Sequence, residues 1–135
     1  MKSKHHFKQE QGTGACGECS IMSILSMYSK ILKVRLNTID GIDEDKIKKI
    51  LNEYGIQTKA KYIKWDKLKN RSICYYPRYD HWVVLEKIDK KNNRVFINDS
   101  DKDKGEWVDK EDFCNSWLTQ DTTGYVIQCR LKRRK

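Results

Sequence analysis

The amino-acid sequence predicts an α+β fold, and three observations support that prediction. An apolar segment with helical spacing begins at Cys16, a second segment with helical spacing follows it, and most of the remaining chain has the pattern of short strands. Helices that precede a run of strands, instead of alternating with them, are typical of α+β folds. A chain of 135 residues suits one hydrophobic core, so we expect a single domain spanning residues 1–135.

The first helix is predicted from Cys16 to about Lys30. Its apolar residues follow the i, i+3, i+4, i+7 spacing of one helix face: Ile21, Ile24, Leu25 and Tyr28. Two methionines widen the apolar surface beyond this face. We therefore expect the first helix to be buried.

The second helix is predicted in the segment DEDKIKKILNEYG, residues 43–55. Asp43 is a suitable N-cap, and Gly55 is a suitable helix stop. The apolar residues between them lie on one face: Ile47, Ile50, Leu51 and Tyr54. Such a pattern indicates a surface helix that packs one side against a core.

Strands and one further helix are predicted in the rest of the chain. Runs of β-branched and aromatic residues bounded by turn residues indicate strands at 57–63, 72–76, 80–88, 94–99 and 124–131. The polar segment DKKNN joins the third and fourth of these runs, which predicts a hairpin. A short helix is predicted at residues 109–117.

The predicted hairpin brings a histidine near an aspartate. Alternate side chains of a strand share a face, so His81 lies on the face of the odd-numbered apolar residues, as does Asp99 on the partner strand. A turn centred near Lys90 would pair His81 directly with Asp99, with Cβ atoms about 5 Å apart. This arrangement fits an imidazole oriented by a carboxylate, and it also fits an edge histidine beside a solvated loop.

The motif CGEC, which runs from Cys16 to Cys19, fits three chemistries. A redox pair at a helix start is one, but such motifs follow a buried strand, and the residues before Cys16 are polar and glycine-rich. Zinc needs four ligands, of which CGEC supplies two, and the sequence has no second closely spaced pair of cysteines or histidines with metal-ligand spacing. His5 and His6 are adjacent, which is not such a spacing. A nucleophilic cysteine at a helix N-terminus, served by a distant histidine and aspartate, is the third. The sequence thus predicts neither a metal nor a cofactor.

Four segments carry a family resemblance: CGECSIMSILSMYSK, HWVVLEKI, RVFINDS and EDFCNSW. They resemble the first helix, the histidine strand, the aspartate strand and the following Phe-x3-Trp helix of the double-glycine leader peptidases. These are papain-like cysteine peptidases that process bacteriocin precursors. The resemblance spans residues 9–28 and 81–117, and it implies a papain-like fold whose N-terminal helix packs on an antiparallel sheet.

The resemblance also implies roles for individual residues. Cys16 would be the nucleophile, His81 the general base and acid, and Asp99 the residue that orients His81. Asp99 is followed by serine where the family often has proline. Papain itself has a Cys-Gly-x-Cys run in which the second cysteine attacks, which would make Cys19 the nucleophile. The apolar pattern downstream fits the family better from Cys16, which we therefore prefer.

A glutamine shortly before the nucleophile is implied as part of the oxyanion hole, together with the backbone N–H of the cysteine. The family glutamine usually lies six residues before the cysteine, where this chain has Glu10. Gln9 and Gln11 flank that position, and both are candidates. Gln9 is preferred because the Phe-Lys-Gln run that it ends resembles the lead-in of the family.

Composition narrows the expected partners and location. The net charge of +9 arises from lysines spread along the chain, without an aromatic-rich basic stripe, so no specific nucleic-acid partner is predicted. The basic N-terminus is not followed by an apolar run, so neither a secretion signal nor a membrane partner is predicted. Five cysteines without a secretion signal indicate reduced thiols in the cytoplasm.

These observations predict a cytoplasmic cysteine peptidase that hydrolyses a peptide or isopeptide bond through a thioacyl intermediate. By the resemblance, its partner is a peptide or protein substrate cut after Gly-Gly, as a leader peptide is. A ubiquitin-like protein cut after its glycine-rich tail is a second candidate substrate. Two other functions remain open: a catalytically idle papain-like domain that binds proteins, and a thiol–disulfide redox protein. The oligomeric state is not predicted.

Overall fold

The computed structural model describes residues 3–9, 14–33 and 41–132. These residues form three α-helices, six strands and a short 3₁₀ helix at Trp65–Lys67. In chain order, the elements are α1 (Cys16–Met27), α2 (Glu44–Glu53), β1 (Ile56–Ile63), β2 (Ser72–Tyr76), β3 (His81–Asp89), β4 (Arg94–Asn98), β5 (Glu106–Asp109), α3 (Lys110–Trp117) and β6 (Gly124–Leu131). Within the described ranges, no helix has the length and hydropathy needed to cross a membrane.

The strands form one sheet in the order β1-β6-β2-β3-β4-β5, and every neighbouring pair is antiparallel. Helices α1 and α2 contact one another and strands β3 and β1, whereas α3 contacts β2, β4, β5 and β6. The predicted α+β fold with helices packed on an antiparallel sheet is therefore confirmed. Strand β5 was not predicted, because its four residues are mostly exposed and lack an alternating pattern.

Helix α1 is buried, as predicted. Three of its apolar residues are fully inaccessible to solvent: Ile21, Ile24 and Leu25. They pack in one cluster with residues of α2 and the sheet. The helix ends at Met27, before the predicted end near Lys30, because Ser29 adopts a left-handed conformation with φ of 59°. The Lys30 N–H then bonds back to the Leu25 carbonyl at 2.8 Å.

Helix α2 has the predicted cap and stop. The side chain of Asp43 accepts a hydrogen bond from the Lys46 N–H at 2.9 Å, and Gly55 takes a φ of 82° just after the helix. A left-handed residue after the last turn favours glycine, which has no Cβ to clash. The buried face of α2 consists of Ile47, Ile50 and Leu51.

The opposite face of the sheet has its own apolar cluster, covered by α3. Phe113 and Trp117 are fully buried, and their rings stack with centroids 5.1 Å apart. The Trp117 indole donates a hydrogen bond to the Tyr125 carbonyl at 3.0 Å. Its ring also lies against Gly124, where an added Cβ would come within 2.0 Å of the ring. Glycine at this position is therefore a packing requirement.

The β3–β4 hairpin has a different register from the predicted one. Leu85 pairs with Ile97, two positions beyond its expected partner, and Asp89 pairs with Arg94. The cause is that the turn is longer than predicted: it occupies residues 90–93, whereas the prediction centred it near Lys90. The predicted direct pairing of the histidine with the aspartate was therefore wrong.

A β-bulge at Glu86 nevertheless keeps the two candidate residues on one face. The register shifts by one residue between Leu85 and Lys87. Since side chains alternate, a one-residue shift exchanges the two faces of a strand. The longer turn alone would place Asp99 on the face opposite to His81, and the bulge reverses that exchange. The two side chains meet diagonally instead of directly across the hairpin.

The bulge is held by a buried carboxylate. Glu86 Oε1 accepts hydrogen bonds from Ser3 Oγ at 2.7 Å and from Asn98 Nδ2 at 2.9 Å. The N-terminal segment and β4 therefore both attach to the residue that sets the register.

Candidate active site

The three candidate catalytic residues meet at one end of the sheet. Cys16 begins α1, His81 begins β3, and Asp99 directly follows β4. His81 Nε2 lies 2.6 Å from Asp99 Oδ1, and the His81 ring also makes a hydrogen bond with the Cys16 thiol. Because Nε2 faces the carboxylate, Nδ1 is the ring nitrogen available to the thiol. The structure thus brings together residues that are far apart in the sequence.

The loop after β4 fixes the carboxylate. Asp99 Oδ1 accepts a hydrogen bond from the Asp101 N–H at 3.0 Å. Burial alone would raise the pKa of Asp99, but the hydrogen bonds from His81 and from the Asp101 N–H outweigh it and lower that pKa. A second carboxylate is close, since Asp101 Oδ2 lies 3.5 Å from His81 Nε2. Asp99 therefore remains ionised beside the imidazole near neutral pH.

The thiol and the imidazole favour each other's charged form. Burial raises the pKa of Cys16, but the hydrogen bonds from His81 and from the Trp82 backbone N–H outweigh it, so the pKa is lowered. Burial likewise lowers the pKa of His81, but the hydrogen bonds with Asp99 and Cys16 outweigh it and raise the pKa to about 10. Both shifts favour a thiolate–imidazolium pair, which is the reactive form of a cysteine nucleophile.

The five cysteines, all within the described residues, differ in accessibility and acidity. Each is free of a disulfide, and only Cys16 has a lowered pKa. Burial raises the pKa of Cys19 to about 12, and its side chain is only 4% exposed. Burial also raises the pKa of Cys74, Cys114 and Cys129. The geometry therefore favours Cys16 over Cys19.

Of the two candidate glutamines, Gln9 is described and Gln11 lies outside the described residues. The Gln9 N–H donates to the Ser100 carbonyl at 2.8 Å, and the Ser100 hydroxyl donates to Gln9 Oε1 at 2.5 Å. Both main chain and side chain of Gln9 are thus attached to the residue that follows Asp99. With Oε1 held by the serine, the amide nitrogen of Gln9 is the group directed elsewhere.

The alternative of a zinc site on CGEC lacks further ligands in the described part of the chain. His5 Nδ1 lies 2.7 Å from Ser26 Oγ, and His6 Nε2 lies 2.7 Å from the Lys102 carbonyl. Among the described residues, the group of side chains close enough to share a metal consists of His81, Asp99 and Asp101, and it includes neither cysteine of the motif.

A cleft of about 930 Å³ opens beside the thiol of Cys16. Its described lining consists of Gly14, Cys16, Gly41, Ile42, Asp43, Glu44, Tyr62, Tyr75, Asp80, Trp82 and Tyr125. Asp80 accepts a hydrogen bond from the Tyr75 hydroxyl, which turns its carboxylate into this cleft and away from the histidine. The site therefore combines a reactive thiol with an open space that can receive a chain.

Three groups at the site were missed by sequence reasoning. Ser100 binds Gln9, Asp101 binds Asp99, and the backbone N–H of Trp82 faces the thiol. The run DSD after β4 was a signal for the second, because an aspartate side chain often accepts a hydrogen bond from the backbone N–H two residues later. No local pattern indicates the first, since Ser100 and Gln9 lie 91 residues apart. No side-chain pattern indicates the third.

Comparison with known proteins places the chain in a family. The model of the peptidase C39 family matches residues 4–131, nearly the whole length. A search of curated protein sequences finds no match.

Solved structures share the fold. A double-glycine-motif protease from an AMS/PCAT transporter, in complex with the leader peptide, is 19% identical over 93% of this chain and 91% of that chain, with a TM-score of 0.75. The peptidase domain of Streptococcus ComA, a bifunctional ABC transporter of a quorum-sensing pathway, is 19% identical over 94% and 97%, with a TM-score of 0.72. The N-terminal peptidase C39-like domain of a toxin secretion ATP-binding protein from Vibrio parahaemolyticus is 11% identical over 91% and 100%, with a TM-score of 0.69. The chain therefore belongs to the peptidase C39 family and is a cysteine peptidase.

Proposed function

We propose that Cys16, His81 and Asp99 form the catalytic triad of this peptidase. The observation that carries the proposal is the continuous hydrogen-bonded chain from thiol to imidazole to carboxylate. The pKa shifts run in the direction that each role requires, since the thiol pKa is lowered and the imidazole pKa is raised. Cys19 is a poor alternative because it is buried and its pKa is raised.

The reaction proceeds in two halves. The Cys16 thiolate attacks the carbonyl carbon of the scissile bond, and a tetrahedral oxyanion forms. The C–N bond then breaks as the His81 imidazolium gives its proton to the leaving amine, which leaves a thioester on Cys16. In the second half, neutral His81 takes a proton from water, whose oxygen attacks the thioester. The acid is released, and the thiolate–imidazolium pair is restored.

We assign the oxyanion hole to the Cys16 backbone N–H and the side-chain amide of Gln9. The support is the orientation of Gln9, whose Oε1 is held by the Ser100 hydroxyl. An amide fixed in this way can present Nε2 to a developing negative charge without reorganisation, and donors of this kind contribute about 10²–10³ in rate. Gln11 is the alternative donor.

We further propose that the substrate is a peptide cut after two glycines and that the protein acts in the cytoplasm. Two observations support the substrate: the segments that resemble double-glycine leader peptidases, and the fold shared with a double-glycine-motif protease solved with its leader peptide. Five free cysteines support a reducing compartment.

Mass spectrometry of peptides that contain a Gly-Gly pair would test this function. We expect cleavage after the second glycine by the parent protein and none above background by Cys16→Ala. Cys19→Ala is the matched control, and it should retain the parent rate within about threefold, because it removes only a packed sulfur.

Thiol labelling separates a wrong nucleophile from an inactive protein. Brief treatment with substoichiometric iodoacetamide should modify Cys16 first, because Cys16 alone among the five cysteines has a lowered thiol pKa. Preferential labelling of Cys19 would transfer the assignment to that residue. Preferential labelling of Cys16 without cleavage of any Gly-Gly peptide would contradict the proposed substrate and favour the idle, protein-binding alternative.

A further inference from the structure

The cleft beside Cys16 has a floor of four aromatic rings. The Tyr62 and Tyr125 ring centroids lie 4.8 Å apart, those of Tyr125 and Trp82 lie 6.4 Å apart, and those of Trp82 and Tyr75 lie 4.7 Å apart. The rings therefore form a continuous row of contacts. In order of contact, Tyr62 lies on β1, Tyr125 on β6, Trp82 on β3 and Tyr75 on β2. Only Tyr62 is largely exposed, at 61%, so most of the row is supported by the protein.

This row passes beside Cys16. Trp82 contributes its ring to the floor and its backbone N–H to the thiol of Cys16. Cys16 lines the same cavity as the rings. A peptide with its scissile bond at Cys16 can therefore extend over the aromatic row.

Carboxylates stand around the floor. Asp80 accepts a hydrogen bond from the Tyr75 hydroxyl, and Glu44 makes one with the Tyr125 hydroxyl. Asp43 adds a third carboxylate to the lining. The described lining contains no lysine or arginine, although the chain as a whole has a net charge of +9. The described lining is thus acidic on a basic protein, and Lys48, outside the lining, lies 3.4 Å from Glu44 Oε2.

We propose that this cleft binds a lysine or arginine side chain of the peptide substrate, within a few residues of the scissile bond. Aromatic faces attract cations through their quadrupole, and the carboxylates add direct charge complementarity. An aliphatic side chain would gain contact with the rings but would place no positive charge beside the carboxylates. The inference rests on the proposed function, because it concerns the substrate of the same site.

The test is a set of Gly-Gly peptides that differ at one position. At each position near the scissile bond, lysine is compared with norleucine, which has a similar length and no charge, and with glutamate. We expect lysine at one position to raise kcat/KM about tenfold over norleucine, with glutamate lowest. The preference should weaken as salt is added, since exposed charge pairs are screened. Equal rates for the three residues at every position would overturn the proposal.

Variants identify the groups responsible. Asp80→Asn and Glu44→Gln should each reduce the lysine preference about two- to fivefold. Glu111→Gln removes an exposed carboxylate from α3, on the other side of the sheet, and should leave the preference unchanged. Asp80→Lys should shift the preference from lysine to glutamate at the same position. An unchanged lysine preference in each of the three variants Asp80→Asn, Glu44→Gln and Asp80→Lys would contradict the proposal.

Binding to Cys16→Ala, measured by calorimetry, separates the two levels of inference. Lysine-dependent binding without cleavage by the parent protein would contradict the proposed peptidase substrate and leave the basic subsite intact. Cleavage without any charge preference would contradict the proposed subsite for a basic side chain and leave the proposed peptidase substrate intact.

Discussion

The two faces of the sheet contribute differently to the site. On the face covered by α1 and α2, the first helix supplies Cys16, and Trp82 of β3 helps to line the cleft. On the face covered by α3, the odd-numbered residues of β3 lie over Phe113 and Trp117, and His81 continues that row at the end of the strand. Cys16 and the cleft thus belong to one layer, and His81 and Asp99 belong to the other.

The difference follows from the alternation of side chains along β3. His81 and Trp82 are neighbours in sequence, so they leave the strand in opposite directions. One strand end therefore serves both layers, and a helix that begins beside it can place a thiol next to both residues. A site of this kind must lie at the end of a sheet, where side chains of the two layers can meet.

The largest expected effect comes from removal of His81, which lies on the face of the sheet covered by α3. His81→Ala should lower kcat/KM by about 10³-fold or more, because it removes the proton carrier and the charge that favours the thiolate. His5→Ala is the matched control, and it should retain the parent rate within about threefold. The measurement is cleavage of a Gly-Gly peptide, with folding checked by circular dichroism. Undiminished cleavage by folded His81→Ala would mean that the face of the sheet covered by α3 carries no catalytic group.

The second prediction separates stability from reactivity. Trp117→Ala should lower the free energy of unfolding by about 3–5 kcal/mol, because it empties a fully buried site. Trp107, which is 37% exposed on β5, is the control, and Trp107→Ala should cost about 1 kcal/mol or less. Urea unfolding gives both values. The iodoacetamide reactivity of Cys16 in folded Trp117→Ala should match the parent; a large loss would show that α3 also positions the thiol.

The third prediction concerns pH and Asp99. The active ion pair needs ionised Cys16 and protonated His81, so kcat/KM should rise as pH passes the lowered pKa of Cys16 and fall as pH passes the raised pKa of His81, near 10. Asp99→Ala removes a hydrogen bond that raises the His81 pKa, so the alkaline limb should move to lower pH. The rate at the optimum should fall roughly 10²-fold, and Asp99→Asn should lose less. An alkaline limb that does not move in Asp99→Ala would contradict this role.

The smallest expected effect concerns the attachment of Gln9 to the loop after Asp99. Ser100→Ala removes the hydroxyl that holds Gln9 Oε1 and should lower kcat about fivefold, with KM little changed, because one hydrogen bond of this kind is worth about 1 kcal/mol. Ser100→Thr keeps a hydroxyl and should recover most of the loss. The same kinetic assay supplies both numbers. The double variant Gln9→Ala/Ser100→Ala should lose little more activity than Gln9→Ala alone. Fully additive losses would show that the two residues act independently.

Much of the secondary structure was predictable because its signals are local. The N-cap at Asp43, the stop at Gly55 and the apolar stripe between them define α2 without help from the rest of the chain. Strands β2 and β6 have the predicted bounds. The edge strand β5 and the early end of α1 escaped prediction, since one is exposed and the other depends on the backbone conformation of Ser29.

By itself, the sequence determined the order of elements, the buried first helix and the short set of residues from which a nucleophile, a base and a carboxylate could be chosen. Only the tertiary structure decided how those residues meet. The distance between Cys16 and His81 in sequence says nothing about their contact, and the pKa of a thiol depends on burial and neighbours that are set by packing. The face on which Asp99 lies depends on the bulge at Glu86, a one-residue shift held by contacts from Ser3 and Asn98. Such a shift exchanges the faces of a strand without leaving a pattern in its sequence, because it is the pairing with the neighbouring strand that defines it.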